Sequence, residues 1–246
     1  MRKFVLRLIL IFSLTALSAQ DSPALGDGFP IEEGQPAAEE PAKKSTVEKS
    51  LFFTLGPKLM LSTDDSTKSA PSPVVYSFGV GGDFVLSDLF LLQAHGSFFM
   101  NYYLWDGERA RPAEVEGRTA TALSLMLDLT GGLTFRLGTA KRHLLSPALG
   151  IGVLARYAIL SNGVASGDLN SGTGSTAGDD VSSINRSFYS GLKFIYPQVA
   201  LTYSYALSDT WRIGGEARAY VPVGSLIMDG DTDGMIVSLS LKFSRK

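Results

Sequence analysis

The chain has 246 residues, an ordinary apolar share of 45% and a formal net charge of −2, so no bulk basic field points to nucleic acid. Cysteine is absent, which excludes a disulfide framework, a thiolate-bound metal, a thiol nucleophile and a bacterial lipoprotein anchor. The length accommodates one large domain or two small ones.

Residues 1–19 read as a secretory signal peptide. Arg2 and Lys3 give a positive start, Leu8 to Leu17 an apolar core, and Ala19 the small residue before cleavage. That core is too short to span a bilayer as a helix, which takes about 20 residues. Residues 20–49 change character: four prolines, seven acidic residues and three lysines surround a single aromatic, Phe29. Such a segment cannot bury enough apolar surface to offset its ordering entropy, and it reads as a disordered acidic periplasmic lead.

From residue 50 to 246 the period is two. Leu123, Leu125, Leu127 and Leu129 alternate with Ser124, Met126 and Asp128. Val199, Leu201, Tyr203 and Tyr205 alternate with Gln198, Ala200, Thr202 and Ser204. A helix would scatter these sets, whereas a strand puts each on one face. Eight such runs follow one another, at about 50–61, 74–86, 90–104, 119–137, 143–159, 188–207, 211–223 and 234–243. Each is longer than the usual strand of ~5–6 residues and long enough for a tilted membrane strand of about 9–11. Short connections (87–89, 138–142, 208–210) alternate with long polar ones (62–73, 105–118, 160–187, 224–233). The third long connection, rich in Gly, Ser, Asn and Asp, reads as a mobile loop. The expected fold is all-β: an eight-stranded antiparallel up-and-down transmembrane β-barrel with long extracellular loops and short periplasmic turns.

Alternation alone also fits a soluble lipocalin-like barrel with its apolar face inward. Three features favour the membrane form. The polar face carries small residues and full charges, which suit a narrow lumen. Aromatics such as Phe84, Phe90, Phe135, Trp211 and Phe243 gather near the short turns, and Tyr76, Tyr102, Trp105 and Tyr157 near the long loops, like two interfacial girdles. The last strand sets Met235, Val237, Leu239, Leu241 and Phe243 on one face, close to the chain end. In hydrocarbon no sheet edge is tolerated, so the first strand must pair with the last. Pro57 and Pro197 lack a ladder N–H and need a strand end or a bulge.

In these features the chain resembles the small outer-membrane β-barrel families of bacteria, nearest in layout to the OmpW/OprG-like and OmpX/OmpA-barrel groups. The resemblance covers about 50–243 and rests on topology, the leader and the final strand, which looks like a C-terminal assembly signal. It implies a bacterial outer-membrane location, membrane lipid as surroundings, and delivery by periplasmic chaperones and the outer-membrane barrel assembly machinery. OmpW-like barrels are associated with passage of small hydrophobic molecules, although the inward face here is charged.

The inward candidates are Lys58, Asp83, His95, Asp128, Arg136, Arg156, Arg212, Glu216, Arg218 and Lys242. They read either as an anion-favouring pore or as a plug of paired charges. With Val223 opposite Met235, Glu216 would face Lys242. His95 would lie diagonal to Asp83, about 7–8 Å away, too far for general-base work. Asp168, Asp179 and Asp180 are spaced for solvent exposure more than for a cation. No catalytic, cofactor or metal site is expected, and the chain does not read as an enzyme. The expected function is a narrow pore or transporter for small solutes; the alternative is a surface-exposed structural or adhesion barrel whose loops bind host or envelope partners.

Overall fold

In the computed structural model, residues 47–61, 74–114, 117–228 and 234–246 are described, all within one compact unit, Lys44–Lys246. The expected signal peptide, nearly all of the acidic lead and the first long loop lie outside the described residues.

Ten strands run in chain order: β1 (Glu48–Leu61), β2 (Val74–Val85), β3 (Phe90–Trp105), β4 (Ala110–Pro112), β5 (Ala120–Leu133), β6 (Phe135–Leu137), β7 (His143–Leu160), β8 (Ile195–Ala206), β9 (Trp211–Tyr220) and β10 (Met235–Arg245). Two helices join them, α1 (Ala177–Tyr189) and α2 (Val223–Met228). β4 is a short hairpin return on β3, and β6 resumes the β5 run after a break at Thr134. The remaining strands form a closed eight-stranded antiparallel up-and-down barrel, in which each strand pairs with its sequence neighbour and β1 pairs with β10. Closure pairs the wall strands on both sides among the described residues, apart from the upper part of β7 beyond the start of β8.

Period two sets the two faces. Leu55, Phe78, Leu127, Ile151, Leu201 and Leu241 point outward and are exposed, while their neighbours in sequence face the interior and are buried or half-buried. Tight turns use one device twice. Ser87 Oγ accepts from the N–H of Phe90 at 3.1 Å, and Ser208 Oγ accepts from Trp211 at 3.1 Å. In the third turn Gly138 takes φ +79°, where a side chain would be strained.

Pro57 sits where the β1–β10 ladder is interrupted, between Leu55↔Leu241 and Lys58↔Ser238. Its missing N–H therefore breaks no ladder bond there. At the adjacent Gly56 a Cβ would lie 2.0 Å from the Leu239 carbonyl oxygen, so only glycine lets the strands approach this closely. Pro197 lies near the start of β8.

Three expectations need correction. The run at 188–207 becomes strand only from Ile195, because residues 188–194 finish α1 and a 3-10 turn, Ser190–Leu192. The run at 211–223 stops at Tyr220, and the residues after it begin α2. The third long connection holds a four-turn-scale helix. Thr176 caps it by accepting from the Asp179 N–H at 3.2 Å, and Ala177, Asp180, Ile184 and Phe188 form its buried face. Glycine-rich flanks concealed a segment with a clear N-cap and a helical apolar spacing.

Candidate functional site: the filled lumen

The interior is stacked in layers from the tight-turn end to the mouth. Nearest the turns, Lys242 Nζ lies 2.9 Å from Asp83 Oδ2 and 3.9 Å from the centre of the Phe52 ring. Gln93 donates to Asp83 at 2.8 Å. β10 and β2 supply the ion pair from either side of β1, so the contact reaches across the strand between them.

The middle layer centres on Asp128. His95 stands directly opposite it on β3, and its Nδ1 donates to Asp128 Oδ2 at 3.1 Å. That leaves His95 Nε2 to accept from the Thr54 hydroxyl at 3.0 Å. Asp128 also accepts from Gln198 at 2.9 Å and from the Tyr220 hydroxyl at 3.0 Å, with Arg218 Nη1 at 3.5 Å. Arg218 in turn donates through Nε to Glu216 at 2.6 Å, to Gln198 at 3.1 Å, and to Gln93. Thr202 donates to the second Glu216 oxygen at 3.1 Å. Asp128, Glu216 and Arg218 expose 5%, 5% and 3% of their surface, so water reaches none of them freely. Each buried carboxylate is met by a cation or several donors, which is the condition for burying charge without a severe desolvation cost.

Hydroxyl, imidazole and carboxylate in the order Thr54–His95–Asp128 match the geometry of a nucleophile, its base and an orienting acid. Here all three are buried. The carboxylate is shared among Tyr220, Gln198 and Arg218 as well. The string ties β1, β3 and β5 together along the inner wall.

Above it Lys58 donates to Ser97 at 2.8 Å and lies over the rings of Phe99 and Tyr220, at 4.8 and 5.4 Å. An apolar plug follows, made of Met60, Phe99, Met126, Leu154, Tyr196 and Ile236 around Tyr220. At the mouth, Ile184 and Phe188 of α1 pack on Tyr103, Ala120, Ala122 and Ala158.

Helix α1 is held there for a reason visible in the ladders. β7 pairs with β8 only as far as Val153↔Ile195, so its upper part would present an open edge. Two side chains of α1 cover that edge. Asn185 accepts from the Ala158 N–H at 2.8 Å and donates to the Ala158 carbonyl at 2.9 Å. The Tyr189 hydroxyl accepts from Arg156 N–H at 3.1 Å and donates to the Arg156 carbonyl at 2.7 Å. Asp180 belongs to the same cap: it is fully buried and accepts from Asn170 at 2.7 Å, contrary to the expected solvent exposure.

Of the ten inward candidates, Lys58, His95, Asp128, Arg156, Glu216, Arg218 and Lys242 are buried inside the barrel. Asp83 and Arg212 are partly buried toward the tight-turn end, and Arg136, on β6, is exposed there instead of lining the lumen. Two pairings differ from expectation. Lys242 faces Gly214 and Glu216 faces Ser240, two residues from the expected register, because β9 ends at Tyr220 and the turn to β10 contains α2. Lys242 therefore pairs with Asp83, and Glu216 with Arg218. His95 pairs with Asp128 and not with Asp83, because the parity of the adjacent strands β3 and β5 places these two inward residues face to face, a signal present in the sequence. The outward set Met235, Val237, Leu239, Leu241 and Phe243 lies on the outer face of β10. Trp105 turns from the expected girdle to pack on the cluster at the mouth.

Neither a scan of protein-family models nor a search of curated protein sequences finds a match. Among solved structures, OprG from Pseudomonas aeruginosa is 10% identical, with TM-score 0.48 over 80% of this chain and 96% of that one. Neisserial surface protein A is 11% identical, with TM-score 0.47 over 80% and 96%. Ail of Yersinia pestis, solved with the heparin analogue sucrose octasulfate, is 8% identical, with TM-score 0.44 over 81% and 97%. The fold is that of a small outer-membrane β-barrel. Ring closure and the apolar outer face of this chain carry that assignment.

Proposed function

We propose that this protein is a bacterial outer-membrane barrel with a closed lumen, which presents an ordered cap outside the cell and acts through that surface. The observation that carries the reading is the filled interior: ion-paired, apolar and helix-capped layers succeed one another across the whole barrel height. A conducting pore needs a continuous wet path, whereas an eight-stranded barrel is just narrow enough for side chains to fill. Of the two expected functions, the surface-interaction barrel is thus favoured over the solute pore. The buried and shared Thr54–His95–Asp128 string supports a non-enzymatic role.

The membrane setting is supported by the outward belt. Contiguous exposed Leu, Val, Ile and Phe around a closed wall would aggregate in water and match hydrocarbon. In this reading the leader is cleaved after Ala19, periplasmic chaperones carry the chain, and the outward face of β10 is the assembly signal read by the barrel assembly machinery. Tight turns then face the periplasm and the α1 cap faces outward.

Planar-bilayer recording of the refolded chain tests the closed lumen. A silent bilayer, with heat-modifiable migration showing that the barrel has folded, is the expected result. Steady single-channel steps would overturn it in favour of the pore.

A further inference from the structure

The central charges balance: Lys58, Arg218 and Lys242 stand with Asp83, Asp128 and Glu216. Lys58 has no direct ion pair among the described residues but belongs to this balanced set, whereas Arg156 lies outside it. Arg156 is buried at the mouth, and its charge persists at every accessible pH. Among the described residues no carboxylate pairs with it. Nη1 donates to the Tyr103 hydroxyl at 3.2 Å and Nη2 to the Lys193 carbonyl at 3.2 Å, both neutral acceptors. The guanidinium carbon lies 4.3 Å from the centre of the Phe188 ring. Nε is buried without any hydrogen-bond partner.

A buried cation with neutral partners and an idle N–H is costly unless something else supplies the negative charge. The surroundings are shaped for that. Arg156 lines a crevice of about 90 Å³, together with Tyr103, Arg109, Phe188, Lys193 and Tyr196. Lys193, partly buried, forms no ion pair with any described residue. Arg109 reaches Asp106 at 4.0 Å and borders the same space. Three cationic side chains thus converge on a cavity far smaller than the ~300–1,000 Å³ of a drug-sized pocket.

We propose that this crevice binds one oxyanion group, a sulfate, phosphate or carboxylate, with the Arg156 guanidinium as its inner anchor and Lys193 and Arg109 at the rim. The planar fork of a guanidinium suits such a group, and a partly desolvated site strengthens the contact. The volume admits a single group and not a folded ligand, so a larger molecule would dock one acidic substituent here and leave the rest outside. The inference rests on the closed-barrel reading only for the mouth facing outward; binding in detergent does not depend on it.

The test uses the full chain refolded in detergent, titrated with sodium sulfate, phosphate or acetate against sodium chloride at matched ionic strength. A saturable rise in thermal midpoint with at least one oxyanion is expected, since a ligand that binds only the folded state stabilises it. Arg156→Met should abolish that response, and Lys193→Gln should weaken the affinity by about tenfold, as loss of one charge-assisted contact does. Lys193 is partly exposed, so its variant keeps the test decisive if Arg156→Met fails to fold. Dextran sulfate and neutral dextran distinguish the sources. Competition of the sulfated polymer with free sulfate places the group on a glycan, and its failure to compete assigns the site to small free anions. No saturable response to any oxyanion, or an equal response in Lys193→Gln and the parent, overturns the proposal. Channel activity in the bilayer assay with normal anion binding would remove the closed-barrel reading and leave this site standing.

Discussion

Replacing Asp128 by alanine tests how the lumen is held together. In the folded barrel this carboxylate accepts from His95, Gln198 and Tyr220 at 3.1, 2.9 and 3.0 Å and has Arg218 at 3.5 Å. Hydrogen bonds to a charged group contribute about 1.5–3 kcal/mol each, so three would sum to more than 4. Not all of that is lost. Arg218 keeps Glu216 at 2.6 Å and Gln198 at 3.1 Å, and Thr54 remains available to His95 at 3.0 Å. Removing one partner of a buried ion pair costs about 3–5 kcal/mol, which brackets the same figure. We therefore expect Asp128→Ala to destabilise by about 4 kcal/mol, and Asp128→Asn, which keeps one acceptor, by about half as much. Urea unfolding in lipid vesicles, followed by the fluorescence of Trp105 and Trp211, reads the effect. With a slope of about 2 kcal/mol/M the alanine variant should shift the midpoint down by about 2 M. A midpoint within about 0.5 M of the parent would show that the network adds nothing to stability and that barrel closure alone sustains the fold.

Other consequences are testable in the same system. A double-mutant cycle on Asp83 and Lys242 should give a coupling of about 1–3 kcal/mol, and the cycle on Glu216 and Lys242 a smaller one; equal couplings would contradict the observed register. Leu127→Arg places a charge on the outer face near mid-strand and should cost about 2–4 kcal/mol in vesicles, while an unchanged free energy would argue that this face does not meet hydrocarbon. Asp106, just after β3, is raised by partial burial but lowered more by the N–H groups of Arg109 and Glu108 and by Arg111, so its carboxyl titrates below the ordinary value. A depressed folded value means that its stabilisation is present above the unfolded carboxyl range near ~3.9 and is lost as pH falls through the folded value. Amide protection in the 106–111 turn, corrected for the intrinsic exchange rate, should fall on acidification below about pH 4 in the parent and stay constant in Asp106→Asn, and parallel profiles would remove Asp106 from the role.

The barrel was legible because alternation is a one-dimensional signal that survives without tertiary information. Leu123 to Leu129 and Met235 to Phe243 each declare a face, and the turn residues between runs declare the reversals. Which inward charges meet was not legible to the same degree. Lys242 reaches Asp83 across the intervening β1, and Arg218 reaches Gln93 across the lumen, contacts that depend on barrel curvature and not on sequence spacing. The β9–β10 register depended on where β9 ends, and Val221–Val223 continue the apolar pattern past that end. Helix α1 was hidden for a different reason. Its stability comes from packing Ile184 and Phe188 at the mouth and from covering the β7 edge with Asn185 and Tyr189, neither of which a composition window registers.

The polar interior also specifies which register the strands adopt. An outer face of Leu, Val and Phe is nearly uniform along each strand, so by itself it would tolerate a slide of two residues. A slide of one residue would carry Glu216 and Arg218 onto the outer face, where a cation at the bilayer midplane costs about 2–4 kcal/mol. A slide of two keeps the faces but separates Asp128 from His95, which stand opposite each other on β5 and β3, and it withdraws the carboxylate from Tyr220 and Gln198. Lipid therefore decides which face points outward, and the paired charges decide which residue stands opposite which. A lumen of leucines would satisfy neither requirement, because with both faces apolar the one-residue slip would cost little. On this account the buried network's main contribution is to strand order. Asp128→Ala should then broaden the amide resonances of β3 and β5 in nanodiscs, in addition to lowering the unfolding midpoint, and sharp, parent-like resonances at reduced stability would separate the two roles and refute the register argument.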